Sequence, residues 1–117
     1  MPRKDRAWMG DTEQVVASAA RTASGDSGPL SGYGPAQTLR AQLNVTAASG
    51  TSPTLDVVIE DTLDGTNWNV VGTFAQKGAT GREVINVTTP FADRLRVRWT
   101  IGGTGPSFTF AVDWSAE

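Results

Sequence analysis

Leu39, Ala41, Leu43 and Val45 alternate with Arg40, Gln42, Asn44 and Thr46, the two-residue period of a strand with one face in the core and the other in water. Leu55, Val57 and Ile59 continue in the same manner, among Asp56, Val58 and Glu60. Further on, Leu95, Val97, Trp99 and Ile101 alternate with Arg94, Arg96, Arg98 and Thr100, and Phe108, Phe110, Val112 and Trp114 alternate with Thr109, Ala111 and Asp113. Trp68, Val70 and Phe74 follow Asp64-Gly65, a dipeptide that supplies the positive φ angles of a hairpin turn. Residues 84–87 form a shorter strand closed by Pro90. The run 15–23 suits a helix through its alanines or a strand through its Val/Thr content, and the Gly/Pro-rich loop that follows at 25–35 favours the strand.

Two pairs of these strands are separated by short Gly/Pro segments and predict hairpins, with 94–101 and 108–114 sending four bulky residues each into one core. The connectors echo each other: Gly50-Thr51-Ser52-Pro53-Thr54-Leu55 and Gly103-Thr104-Gly105-Pro106-Ser107-Phe108 share the order Gly-Thr-x-Pro-hydroxyl-apolar. One hairpin solution used twice explains the echo, as does an ancestral duplication. About seven strands at regular spacing predict an all-β antiparallel β-sandwich or jelly-roll-like domain. Its expected core contains Leu43, Val57, Ile59, Trp68, Val97, Trp99, Phe108, Phe110 and Val112.

Residues 1 to about 13 lack periodicity and carry mixed charge with one aromatic, Trp8. They are expected to form an extended N-terminal arm, leaving 14–117 as the sandwich. Ordering each residue costs roughly 1–2 kcal/mol of backbone entropy, so such an arm needs a contact surface. A neighbouring subunit can supply it, with Trp8 as anchor and Arg3, Lys4 and Arg6 against acidic groups. The alternative is that the arm folds back over its own 25–35 loop.

A chain of 117 residues, with 13 Gly and 6 Pro, matches one domain of short strands and tight turns. It has no Cys and no His, which removes disulfides, thiolate metal sites and the commonest general base and nucleophiles. No enzymatic activity, cofactor or metal is therefore expected. The basic start is not followed by an apolar stretch and no run approaches the ~20 apolar residues of a membrane span, so a soluble chain not exported by a classical route is expected. The net charge of −2 provides no bulk attraction to nucleic acid.

Four motifs merit weighing. The carboxylates Asp56, Glu60, Asp61, Asp64 and Asp113 fall on predicted wet faces or in turns, as solvated charge rather than an acid/base pair. Residues 61–67 gather oxygen ligands of the kind calcium accepts, but lack the full loop spacing, and an Asx-stabilised turn explains them. Asn44-Val45-Thr46 and Asn86-Val87-Thr88 match glycosylation sequons and are most simply strand residues. Arg94, Arg96 and Arg98 place three guanidinium groups on one strand face, with Arg40 on a candidate neighbour. The row can dock on an acidic partner or phosphates, or pair across strands with Asp113, Asp56 or Glu60. No exposed aromatics interleave it, which argues against direct nucleic-acid binding. Tyr33, Arg94, Arg96 and Arg98 are candidate surface contacts.

The segments 43–57, 64–68 and 95–103 resemble small virion proteins of tailed bacteriophages, of the capsid decoration or cement type or related head and tail structural proteins. The likeness extends as a pattern over 14–114 and consists of turn and strand motifs. It implies a chain made in the host cytoplasm that joins the virion and binds the major capsid protein or another virion protein. It also implies a homo-oligomer, a trimer being the first expectation. Asp64-Gly65-Thr66-Asn67-Trp68 with Val70-Val71-Gly72 is also similar to the turn-and-Trp segment of discoidin-like and carbohydrate-binding β-sandwiches. That likeness implies sugar contact through Tyr33, Trp8 and the 61–67 turn.

Overall fold

The computed structural model describes residues 11–117; Arg3, Lys4, Arg6 and Trp8, and with them the expectations placed on the arm, lie outside the described residues. The strands are β1 (Thr12–Arg21), β2 (Gly25–Asp26), β3 (Leu39–Thr62), β4 (Trp68–Thr73), β5 (Gly81–Val87) and β6 (Arg94–Ala116). All described pairing is antiparallel. Pairing of Thr12 with Ser115 and Glu13 with Trp114 starts the sandwich inside the segment expected to be arm.

β3 and β6 pair along almost their whole length, from Leu39 opposite Ala116 to Thr62 opposite Arg94. The two expected hairpins therefore do not form: each pair of alternating runs is one long strand, and its partner is the other long strand. β1 and β5 flank one half of this ribbon, against residues 108–115 of β6 and 39–45 of β3. β2 and β4 flank the other half, against 98–99 of β6 and 58–62 of β3. Strand halves counted separately make two four-stranded layers, β1-β6-β3-β5 and β2-β6-β3-β4, which is a jelly-roll sandwich.

The passage from one layer to the other happens where the two Gly-Thr-x-Pro segments meet. Ser49 pairs with Ser107, Thr51 with Thr104 and Thr54 with Gly102, with a register shift on either side of the central pair. Ser52-Pro53 thus bulges opposite Gly103, and Gly105-Pro106 bulges opposite Gly50. The first residue of each bulge is left-handed, Ser52 at φ 48° and Gly105 at φ 58°, as in bulges that sharpen strand bend and twist. Proline lacks a ladder donor and is tolerated at such a bulge. The facing glycines are required by contact as well as by backbone: a Cβ on Gly50 would stand 2.8 Å from the Gly105 carbonyl oxygen, and one on Gly103 2.7 Å from that of Ser52. The sequence echo is a local two-fold device, each copy making room for the bulge of the other.

One core fills the space between the layers. Leu43, Val57, Ile59, Val97, Trp99, Phe108, Phe110 and Val112 are buried as expected, joined by Leu39, Leu55, Phe74, Leu95 and Trp114. Trp68 is not part of this core, because β4 carries an extra residue: Ile59 pairs with Gly72 but Glu60 with Val70. That bulge inverts the phase of the strand, sending Phe74 inward and Trp68 and Val70 outward. Trp99 and Phe110 meet edge to face at 5.5 Å. The Arg21 guanidinium covers both rings and donates to the carbonyls of Ala17, Ala19 and Phe110, closing the irregular end of β1; burial holds its pKa below the usual value.

Candidate functional site

The outer face of the β2-β6-β3-β4 layer holds the most developed charged arrangement among the described residues. Two-residue alternation places Arg94, Arg96 and Arg98 there while Leu95, Val97 and Trp99 fill the core. The register sets Glu60 opposite Arg96 and Thr62 opposite Arg94. Glu60 accepts from Arg96 Nε at 2.8 Å and from Arg98 Nε at 3.1 Å, one carboxylate oxygen each. Its side chain is only 6 % exposed against 21 % and 40 % for the two arginines, so both charges partner a nearly buried anion. The Arg96 guanidinium also lies 4.2 Å over the Trp68 ring, and Asp26 approaches it at 3.8 Å. A buried carboxylate is tolerable here because two guanidiniums offset its desolvation; the ring beneath fixes the plane of one of them.

Cross-strand pairing of the arginine row is thus realised through Glu60. Asp113 does not take part: it lies in the other layer, between Gln14 and Gln42. Asp56 is held by the Gln76 side-chain amide instead. Arg40 is in the other layer too, donating to Asn86 at 3.0 Å. It borders a surface pocket of about 210 Å³ that includes Gln42, Asp113, Ser115 and Val84.

The turn at 62–67 borders the arginine face. Asp64 accepts backbone N–H bonds from Thr66 and Asn67 and a side-chain bond from Asn67, all at 2.8 Å, and these hold its carboxyl well below the usual carboxylate range. Asp61 faces away and accepts from the Ala92 N–H. The acidic side chains of this segment therefore do not converge, and an Asx turn accounts for the motif. Leu63, 81 % exposed, and Val70, 51 % exposed, stand out as large apolar side chains in water.

Tyr33 is not a surface contact, because it is 3 % exposed. The 31–36 loop folds over the end of the sandwich, its Gly32 and Gly34 N–H groups donating to the Asp93 carboxylate. This carries the Tyr33 ring edge to face onto Trp114 at 5.5 Å, with its hydroxyl donating to Glu13 and accepting from Trp114 Nε1. Burial, and then the neighbouring Glu13, push the phenol pKa up. A tyrosine in a Gly/Pro-rich loop gives no local sign of this; the signal is non-local, in Glu13, Asp93 and Trp114. Trp68 was likewise hidden, because its outward orientation depends on a one-residue bulge.

No family model and no curated protein matches the chain. Solved structures do match. PBSX exported protein XepA aligns over 92 % of this chain at 16 % identity with a TM-score of 0.65. A chain of infectious bursal disease virus, Gx strain, aligns over 90 % at 13 % identity and 0.52. The chain spans only 37 % and 31 % of those two proteins. The CBM22-1 xylan-binding domain of Paenibacillus barcinonensis Xyn10C aligns over 92 % of this chain and 82 % of its own, at 11 % identity and 0.54. At such identities what is shared is the fold: the chain is an antiparallel jelly-roll sandwich of the type used by viral chains and by carbohydrate-binding modules.

Proposed function

We propose that this chain is a non-enzymatic structural protein of a phage virion, a decoration or cement protein that binds the shell surface as a homo-oligomer. The observation that carries the proposal is the external arginine face, in which a nearly buried carboxylate pairs with two guanidinium groups and a tryptophan ring stacks under one of them. Such a face suits docking rather than turnover. The first residues of the chain, with Arg3, Lys4, Arg6 and Trp8, supply a second contact to an adjacent subunit or to the major capsid protein. The jelly-roll fold shared with a viral chain and the bacteriophage-like sequence pattern support the same assignment.

The test is quantitative mass spectrometry of purified virions with wild type and with a variant lacking residues 1–10. Wild type is expected in many copies per particle, and the truncated protein at sharply reduced occupancy with an unchanged melting temperature. Absence of wild type from particles refutes the proposal, and full occupancy of the truncated protein refutes the role of the arm. A carbohydrate-binding role is favoured by one observation, the surface pocket beside Arg40, Gln42 and Asp113; with Tyr33 buried, that candidate contact is lost. Glycan-array binding abolished by Gln42→Ala would support that role.

A further inference from the structure

The pairing on the arginine face leaves much of its hydrogen-bonding capacity unused. Glu60 takes the Nε side of Arg96 and of Arg98, so the terminal nitrogens of both point elsewhere. Arg96 Nη1 is 3.8 Å from Asp26, beyond hydrogen-bond reach. Arg98 Nη1 makes only a long 3.4 Å bond to Thr100. Arg94 makes no ion pair among the described residues. Alternate residues on a strand stand about 6.6–6.8 Å apart at the backbone, which sets the three arginines in a row along one face of β6.

We propose that this row receives an extended acidic segment of a partner protein, its carboxylates two residues apart seated on Arg94, Arg96 and Arg98. A carboxylate series on an extended chain has the same two-residue repeat, and guanidinium ends match carboxylates two bonds at a time. Leu63 and Val70, exposed at the margin, provide apolar contact beside the charged row, an arrangement typical of protein interfaces. Glu60 and the Trp68 ring pre-order Arg96, which lowers the entropy lost on docking.

One feature favours a protein partner over a nucleic acid. The Trp68 face is occupied by Arg96, which leaves it unavailable as a base-stacking platform. The proposal takes the kind of partner from the assembly role, but the chemistry of the row can be tested apart from it.

The full chain is titrated calorimetrically with the peptide Thr-Glu-Val-Glu-Val-Glu-Thr. Comparison probes are a peptide of the same composition with contiguous glutamates and an oligothymidylate of equal charge. The alternating peptide is expected to bind about tenfold tighter than the contiguous one, with affinity falling as salt rises. The Arg94→Ala/Arg98→Ala variant, which alters exposed ends of the row, is expected to lose that preference and still melt cooperatively. Equal affinity for the two peptides overturns the inference, as does an unchanged preference in the variant or tighter binding of the oligothymidylate. Particle occupancy separates this inference from the assembly role: equal occupancy of the double variant and wild type overturns the inference alone, whereas wild type missing from particles overturns only the assembly role.

Discussion

Alanine at Gly103 tests the crossing that joins the two layers. Its new Cβ would stand 2.7 Å from the Ser52 carbonyl oxygen and 2.8 Å from Pro53 Cα, both backbone atoms, at φ 110°. Neither atom can swing away as a side chain would. Gly105 is the internal control: at φ 58° its Cβ would meet nothing within 4 Å, so Gly105→Ala carries only left-handed strain, about 1–2 kcal/mol. Gly103→Ala adds the steric part, and overpacking of this kind costs roughly 1–3 kcal/mol, for a total of about 2–5 kcal/mol. For a domain of this size each kcal/mol lowers Tm by about 3–6 °C. Calorimetry should therefore show a drop of about 3–12 °C for Gly105→Ala and a clearly larger one for Gly103→Ala. The local two-fold relation further requires Gly50→Ala, whose Cβ meets Gly105 and Pro106 backbone, to match Gly103→Ala. The double variant should cost less than the two single ones together, because opening the crossing once relieves both contacts. If Gly103→Ala and Gly105→Ala melt within about 2 °C of each other, the close approach of the two strands is wrong.

Phe110 has no exposed surface and meets Trp99 edge to face, with the Arg21 guanidinium over both rings; truncation to Ala should cost about 3–5 kcal/mol, and a melting temperature within a few degrees of wild type would contradict its place in the core. Tyr33 is the single tyrosine of the chain, so phenolate absorbance reports it alone. Its folded pKa is raised, hence the stabilisation is complete below the ordinary value of about 10 and is lost as pH climbs beyond it. Absorbance should rise only together with unfolding at strongly alkaline pH, and ionisation near pH 10 in the folded protein would show that the ring is not buried.

Alternation by itself determines the strands and most of the core. A run such as 108–114 can bury Phe108, Phe110, Val112 and Trp114 on one face only as a strand, whatever surrounds it. The absence of His and Cys, and the placing of three arginines on a water-facing side, are equally local facts. Pairing is not local. A Gly/Pro segment between two alternating runs reads as a hairpin turn or as a bulge in a continuing strand, and the difference lies in what stands opposite. Only the folded chain sets Gly50 against Gly105-Pro106 and Gly103 against Ser52-Pro53, and so turns two presumed hairpins into two long strands crossing between layers. The same non-locality decided the site. One extra residue in β4 inverted the phase of Trp68, carrying it from the expected core to a place under Arg96. The Asp93 carboxylate, 59 and 61 positions beyond the glycines it binds, drew Tyr33 inside. Side-chain period is a property of a few consecutive residues, whereas register, bulges and loop closure depend on groups distant in sequence, so the strand faces were legible and their partners were not.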